Sequence, residues 1–144
     1  MKNFQNVKRV VALAPVTGTA TAGGVVDTLN ADYATIELVL GTAVNTNAAP
    51  VVVKIQESDT NEATAFVDIN TNTLQKSVAL STTSAQVAAF HVNLNGTRKR
   101  YLRMLATPGT HTTNSVVALA AVANLQLDTS PVGTVGQANV VAIG

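Results

Sequence analysis

The sequence predicts an all-β fold: an antiparallel β-sandwich of about eight short strands, joined in jelly-roll or Greek-key order, with extended terminal arms. Two stretches, residues 33–41 and 51–58, carry most of this prediction because apolar and polar residues alternate in both. A third observation is that short apolar runs recur between turn-forming residues, without the alternation of strands and helices that marks a parallel sheet.

The two leading stretches each have a face suited to a core. In residues 33–41 the inward face comprises Ala34, Ile36, Leu38 and Leu40. In residues 51–58 Val51, Val53 and Ile55 oppose a face of Val52, Lys54, Gln56 and Ser58. A period of two is the signature of a strand with one buried face.

Further strands are predicted wherever a short apolar or alternating run lies between turn signals. In chain order they are residues 7–14, 66–69, 90–94, 98–106, 115–127 and 138–143. Residues 25–26 resume an extended chain, and Leu74, Val78 and Leu80 are apolar points between polar segments. The connections are rich in Gly, Thr, Asn, Ser or Pro. They cover residues 17–24, 30–32, 41–50, 59–62, 81–86 and 130–136.

Two of these elements need a choice. Asn95-Gly96 is a strong local hairpin signal, since both residues tolerate the positive φ of a type I′ turn, so residues 90–94 and 98–106 are expected to pair. The connection is either a strict two-residue loop or a longer loop with shifted register. Residues 115–127 are rich in Ala and Leu and fit a helix or a long strand. We predict a strand because Leu125 and Leu127 alternate with polar residues and the run is rich in Val.

Length and composition indicate one domain, residues 1–144, with an N-terminal arm at 1–6 and a C-terminal arm or edge strand at 128–144. Aromatic residues make up only 3% and charged residues 12%, which predicts a thin aliphatic core. A net charge of +1 gives little repulsion between copies, so we expect a homo-oligomer or a bound partner.

The residue types point to no enzyme and no cofactor. There is no cysteine, and the two histidines, His91 and His111, lie in a predicted strand face and a predicted loop. Asp59, Asn61 and Glu62 fit either a polar turn or a calcium loop, and we favour the turn. Glu37 and Glu57 are interpreted as residues of solvated strand faces and not as a pair of catalytic carboxylates.

Neither a membrane nor a small-molecule substrate is expected as a partner. The apolar run that Pro15 interrupts and the run 116–123 are both too short to span a bilayer, and no phosphate-binding glycine motif occurs. Tyr33 and Tyr101, with three Phe and no Trp, are few aromatics for stacking sugars.

Charge is divided along the chain, with seven of the eight acidic residues in the first half. The basic residues of the second half include Arg98, Lys99, Arg100 and Arg103. This cluster is too small for a nucleic-acid footprint. It either pairs with acids of the same subunit or contacts a protein partner.

Four segments resemble a pattern in small β-rich proteins of tailed bacteriophages: residues 27–43, 53–59, 93–102 and 107–110. The resemblance implies a virion structural protein and, within that class, favours a capsid decoration (cement) protein of jelly-roll-like fold. Such a protein is assembled in the host cytoplasm and then sits on the capsid surface as a trimer, bridging major capsid protein subunits. The alternative is a phage adhesion, host-binding or connector module with the same sandwich.

On this interpretation the basic residues bind an acidic surface of the major capsid protein or of a sister subunit. The predicted contact residues are Lys2, Lys8, Arg9, Arg98, Lys99, Arg100 and Arg103.

Overall fold

Ten strands make up the regular structure of the part of the chain that this computed structural model describes, and every pairing between them is antiparallel. The described residues are 7–18, 20–43, 50–69, 74–95, 98–109, 117–127 and 138–143. The strands are β1 (Val7–Gly18), β2 (Ala22–Asp27), β3 (Tyr33–Leu40), β4 (Val51–Ser58), β5 (Val67–Asp68), β6 (Gln75–Val78), β7 (Ala85–Asn93), β8 (Tyr101–Thr107), β9 (Val117–Gln126) and β10 (Ala138–Ile143).

The strands form two sheets that enclose one hydrophobic layer, which confirms the predicted β-sandwich. Sheet A has the order β1-β9-β3-β7-β10, and sheet B has the order β2-β8-β4-β5 with β6 also pairing with β4. Of the predicted arms, residues 1–6 lie outside the described residues, while β10 forms an edge strand of sheet A within 128–144.

The order of pairing is that of a jelly roll. Strand β1 pairs with β9, β2 with β8, β3 with β7, and β4 with β6, so the two halves of the chain run back along each other as one long ribbon. The ribbon then wraps so that β3 also meets β9 and β4 also meets β8. This wrapping closes the two sheets over each other.

The layer between the sheets is aliphatic, as the composition predicted. The inward residues of β3 and β4 named above have no exposed surface, and Phe90 is the largest side chain that is fully buried. Alanines fill many of the other inward positions, namely Ala34, Ala88, Ala106, Ala121 and Ala123. Small inward side chains let the facing sheets approach closely.

The strand predicted within residues 115–127 is confirmed. Strand β9 lies between β1 and β3, and its inward residues Leu119, Ala121, Ala123 and Leu125 are buried. Its alanines, which would also suit a helix, keep the core thin where β9 pairs with Ile36 and Leu38 of β3.

The hairpin predicted at Asn95-Gly96 is wrong. Strand β7 pairs with β3 and β10 in sheet A, whereas β8 pairs with β2 and β4 in sheet B, so the chain changes sheets between Asn93 and Tyr101. Both strands bury an apolar face in the one hydrophobic core, with Phe90 of β7 and Leu102 of β8 fully buried, and each pairs along its edges with strands distant in sequence. Local turn preference yields to this long-range packing.

The corner where the two sheets meet depends on a close backbone contact between β1 and β2. A side chain at Gly24 would overlap the carbonyl oxygen of Ala12. Strand β1 has register shifts on both sides of Leu13, which bend it toward β2 at this point. Only glycine lets the two strands cross at this separation.

We therefore expect Gly24→Ala to lower the free energy of unfolding by about 1–3 kcal/mol through overpacking. Gly18→Ala is the matched control, because the nearest atom to a new Cβ there is the Ala20 nitrogen at 3.9 Å. Urea unfolding of the two variants beside the parent chain measures the difference. Equal stability of both variants would contradict the role of the close contact.

Candidate functional site

The charges of the two halves of the chain meet at one end of the sandwich, where β2 and β4 finish and β8 begins. We call this cluster the charged end and define it as Asp27, Glu57, Asp59, Arg98, Lys99 and Arg100. Arg100 lies 2.8 Å from Asp27, Arg98 lies 3.4 Å from Glu57, and Lys99 lies 3.3 Å from Asp59. The acidic half and the basic half of the sequence are thus complementary within one chain.

Hydrogen bonds fix the segment 98–100 although it is not part of a strand. The backbone N–H of Thr28 donates to the carbonyl of Arg100 at 3.0 Å, and the N–H of Lys99 donates to Glu57 Oε2 at 3.2 Å. The Thr28 hydroxyl donates to the same Arg100 carbonyl. These contacts secure the chain as it passes from sheet A to sheet B.

The Arg100–Asp27 pair has the best geometry of the three. Nε and Nη2 of Arg100 donate to the two carboxylate oxygens of Asp27 at 2.9 and 2.8 Å, a bidentate fork. The guanidinium also lies 5.0 Å from the centre of the Tyr101 ring. The hydrogen bonds from Arg100 hold the pKa of Asp27 below its usual range, and those same bonds raise the pKa of Arg100.

A tight turn beside these pairs carries an exposed apolar side chain. Asp27 Oδ1 accepts from the N–H of Leu29 at 3.1 Å, and Asn30 has a φ of 64°, a left-handed conformation that Asn tolerates. Leu29 at the tip of the turn is 55% exposed. The turn, Leu94 and the segment 98–100 line a cleft of about 240 Å³.

Arg103, one of the predicted contact residues, binds within its own subunit on the outer face of sheet B. Its Nε and Nη2 donate to Gln56 Oε1 at 2.8 and 2.6 Å, and Nη1 donates to the carbonyl of Ala63 at 2.9 Å. The guanidinium lies 4.3 Å from the centre of the Phe66 ring. Arg103 thus holds the segment 59–66 against the sheet.

A second set of bonds extends this network to β5. The Gln56 amide donates to Asp68 Oδ1 at 2.6 Å, and Lys54 Nζ donates to Asp68 Oδ2 at 2.9 Å. These two donors, Gln56 first, hold the pKa of Asp68 below its usual range. Gln56 and Ser58, expected on an open polar face, are buried because the segment 59–69 covers them.

The N-terminal contact residues lie apart from Arg103. Lys8 and Arg9 are exposed on β1, and Lys8 is near enough to the charged end to help lower the pKa of Asp27. Lys2 lies outside the described residues. Contact of any of the seven basic residues with a partner stays a prediction, while four of them have an internal role that the sequence left open.

The other candidate groups are dispersed. His91 lies on the outer face of sheet A, where Nδ1 is 3.3 Å from the Thr35 hydroxyl, and His111 lies outside the described residues. Glu37 is on sheet A and Glu57 at the charged end, so they do not face each other. Asp59 pairs with Lys99, and no cluster of three metal-binding side chains occurs in the described part of the chain.

Partial burial raises the pKa of Tyr33, because desolvation disfavours the charged phenolate. Its ring lies 6.1 Å from that of His91. Of the residues that the structure describes, none belongs to a helix long and apolar enough to cross a membrane.

Comparison with protein-family models, with curated proteins and with solved structures finds no match to this chain. The phage resemblance therefore rests on the residues of the sequence. In the fold, three of its four segments converge: residues 27–43, 53–59 and 93–102 together supply every member of the charged end.

The lowered pKa values of Asp27 and Asp68 predict a loss of stability in acid. In the unfolded chain both carboxyls return to the ordinary pKa near 4. A carboxyl with a lowered folded-state pKa stabilises the fold above its unfolded pKa, and this contribution disappears as the pH falls through the folded value. We expect the urea midpoint to fall as the pH is lowered from about 4 to about 2.

The variant Asp27→Asn should show a shallower fall than the parent chain over that range, because it lacks one of the two titrating groups. The double variant Asp27→Asn/Asp68→Asn should be shallower again. An unchanged slope in both variants would show that other groups control acid unfolding.

Arg103→Lys tests whether the fork and the stacked ring hold the segment 59–66. Lysine keeps the charge but cannot donate in parallel to Gln56 or lie flat on Phe66. We expect a loss of about 1–3 kcal/mol in the free energy of unfolding, together with faster amide exchange in residues 59–66. Lys76→Arg, at an exposed position in β6, is the control and should change neither measurement.

Proposed function

We propose that this chain is a structural protein of a bacteriophage virion that binds the outside of the capsid and stabilises it by bridging major capsid protein subunits. The observation that carries the proposal is the convergence of the phage-like segments on the charged end. Residues far apart in the sequence, Asp27, Glu57 and Arg100, belong to these segments and form one surface. The proposal includes no catalytic role.

The charged end has the composition of a protein-binding surface. Leu29 is an exposed apolar tip, and the ion pairs around it form a polar rim, which is the usual arrangement of an anchor residue within an interface. The pairs are at least partly solvent-exposed, so a partner can exchange contacts with Lys99 and Arg100 without opening the core.

The loops beside the charged end are fastened to sheet A. Leu94 donates its N–H to the Asp32 carbonyl, and Asp32 donates its N–H to the Gln126 carbonyl at the end of β9, each at 2.9 Å. A rigid surface loses little conformational entropy on binding. This rigidity suits a protein that clamps neighbouring subunits.

Localisation and copy number on intact particles test the proposal. Quantitative mass spectrometry of purified virions, with labelling in cryo-electron microscopy, should give hundreds of copies spread over the shell. A handful of copies at a vertex or on the tail would favour the adhesion or connector module instead. Absence from the particle would refute both.

The contact surface is tested by Leu29→Asp. We expect binding to undecorated capsids to weaken at least about tenfold, as for loss of an anchor residue worth more than about 1.4 kcal/mol. Val67→Asp is the matched control, because Val67 is 51% exposed, close to the 55% of Leu29, but lies on β5. Equal binding by both variants would remove the charged end as the contact.

Reversing Arg98, Lys99 and Arg100 together is a poor test, since each would then face an acid of its own chain. The exchange Lys99→Asp/Asp59→Lys is better because it preserves the internal pair while moving the charge that a partner meets. Reduced capsid binding with an unchanged urea midpoint assigns Lys99 to the contact. Unchanged binding shows that the pair serves the fold alone.

A further inference from the structure

The outer face of sheet A is more apolar than a solvated sheet face usually is. Its outward residues include Val11 of β1, Val122 of β9 and Val39 of β3, which are 63%, 39% and 41% exposed. Val87 and Ala89 of β7 and Ala118 and Ala120 of β9 point the same way. A contiguous exposed apolar surface marks an association site.

The bent strand β1 deepens this apolar surface at one end. Register shifts on both sides of Leu13 leave Ala14 and Pro15 without partners in the ladder, which resumes at Val16. Pro15 and Val16, with Val39, Ala118 and Ala120, line an open concavity of about 300 Å³. A partner side chain can bury its apolar surface there, as anchor residues do in protein interfaces.

Two charged residues on the outer face of sheet A, unlike those of sheet B and the charged end, take part in no ion pair among the described residues. Arg9 of β1 lies opposite Asn124 of β9, and Glu37 of β3 lies opposite Val122. Among the described residues Glu37 has no cation within 4.0 Å and takes one hydrogen bond, from the Asn124 amide at 3.4 Å. Glu37 is exposed beside Val39 and Val122, so its carboxylate is accessible to a cation of a second molecule.

We infer that a second copy of this chain binds the outer face of sheet A across a two-fold axis, with Arg9 of each copy paired to Glu37 of the other. Both members of the pair lie on one face, which is what a self-complementary interface requires. Their strands are two strand spacings apart, with β9 between them, and the two residues are offset by two residues along the strand direction. With ordinary strand spacings this places them about 12 Å apart. A two-fold axis that lies in the interface and passes over β9 between Asn124 and Val122 exchanges the positions of Arg9 and Glu37.

The same axis brings apolar surfaces together. It carries Val11, the most exposed valine of the face, onto Val122 of the second copy. With five strands and the length of β3, the face measures about 24 Å by 26 Å, roughly 600 Å² in projection. Because the axis passes over β9, the second copy covers the part of this face that β1, β9 and β3 form, which is smaller than the about 800 Å² per partner of a standard interface and fits a weak, reversible dimer.

The contact is independent of the proposed capsid function, because it covers the outer face of sheet A and leaves the Leu29 tip of the charged end uncovered. It also differs from the trimer implied by the phage resemblance. The net charge of +1 opposes self-association only weakly.

Sedimentation equilibrium of the purified full chain over a range of concentrations tests the inference. The parent chain should show a monomer–dimer equilibrium, and Glu37→Arg should raise the dissociation constant at least tenfold, because two cations then face each other. Arg9→Glu should do the same. The double variant Arg9→Glu/Glu37→Arg should restore association, since the pair is re-formed with its sign reversed.

Val67→Arg, which adds a charge on sheet B, is the control and should leave the dissociation constant unchanged. Urea midpoints of all variants establish that they fold. A monomer at all concentrations, a trimer that Glu37→Arg does not weaken, or failure of the double variant to restore association would each overturn the inference. Capsid binding is scored separately, so its failure is distinguishable from failure of the dimer.

Discussion

The small size of the inward side chains constrains the rest of this structure. The chain has few aromatic residues, and much of its interior consists of alanine and branched aliphatic side chains, among them Ala88, Ala121 and Ala123. A layer of such small groups is dense only if the sheets lie near each other. The cost appears at the corner, where β1 and β2 cross with Gly24 against the backbone of Ala12. The jelly-roll winding keeps this thin layer closed along its whole length.

Polar contacts hold what the thin layer cannot. Segments 59–69 and 98–100 contribute little to the ladder of strands, and they are fastened by Arg103, Gln56 and the ion pairs of the charged end. Charges in this chain are therefore mostly structural on sheet B and at that end. The outer face of sheet A is different, because Glu37 and Arg9 stay apart in an apolar setting. The ion pairs of the charged end keep its loops in place beside the proposed capsid contact, whereas the charges on the outer face of sheet A serve the proposed contact with a second copy.

The sequence predicts the features that depend on neighbours along the chain. The period of two over β3 and β4 identifies their buried faces, and the same reasoning selects a strand for β9 despite its alanines. The predictions fail where distant segments decide. Asn95-Gly96 favours a hairpin, yet β7 and β8 belong to opposite sheets, where each pairs with strands distant in sequence. Gln56 is buried because residues 59–69 fold over it, for which a strand pattern gives no signal.

The candidate site follows the same division. Unequal distribution of acids and bases is visible in the sequence, but the alternative between internal pairing and partner contact depends on which residues meet. Asp27 and Arg100 are 73 positions apart and are brought together only by the pairing of β2 with β8. The exposure of Leu29 cannot be read from the sequence either, because leucine occurs both in buried strands and in exposed turns.

The bends of β1 have a consequence for how this protein behaves at high concentration. A straight, unpaired outer strand is a template on which further copies add without end, and that route leads to fibres. Here β1, one of the two edge strands of sheet A, is irregular on both sides of Leu13 and carries Lys8 and Arg9, so its free backbone groups do not offer a regular row to another strand. Fibre growth from this edge of the sheet is thereby disfavoured, and copies that meet there do so through side chains.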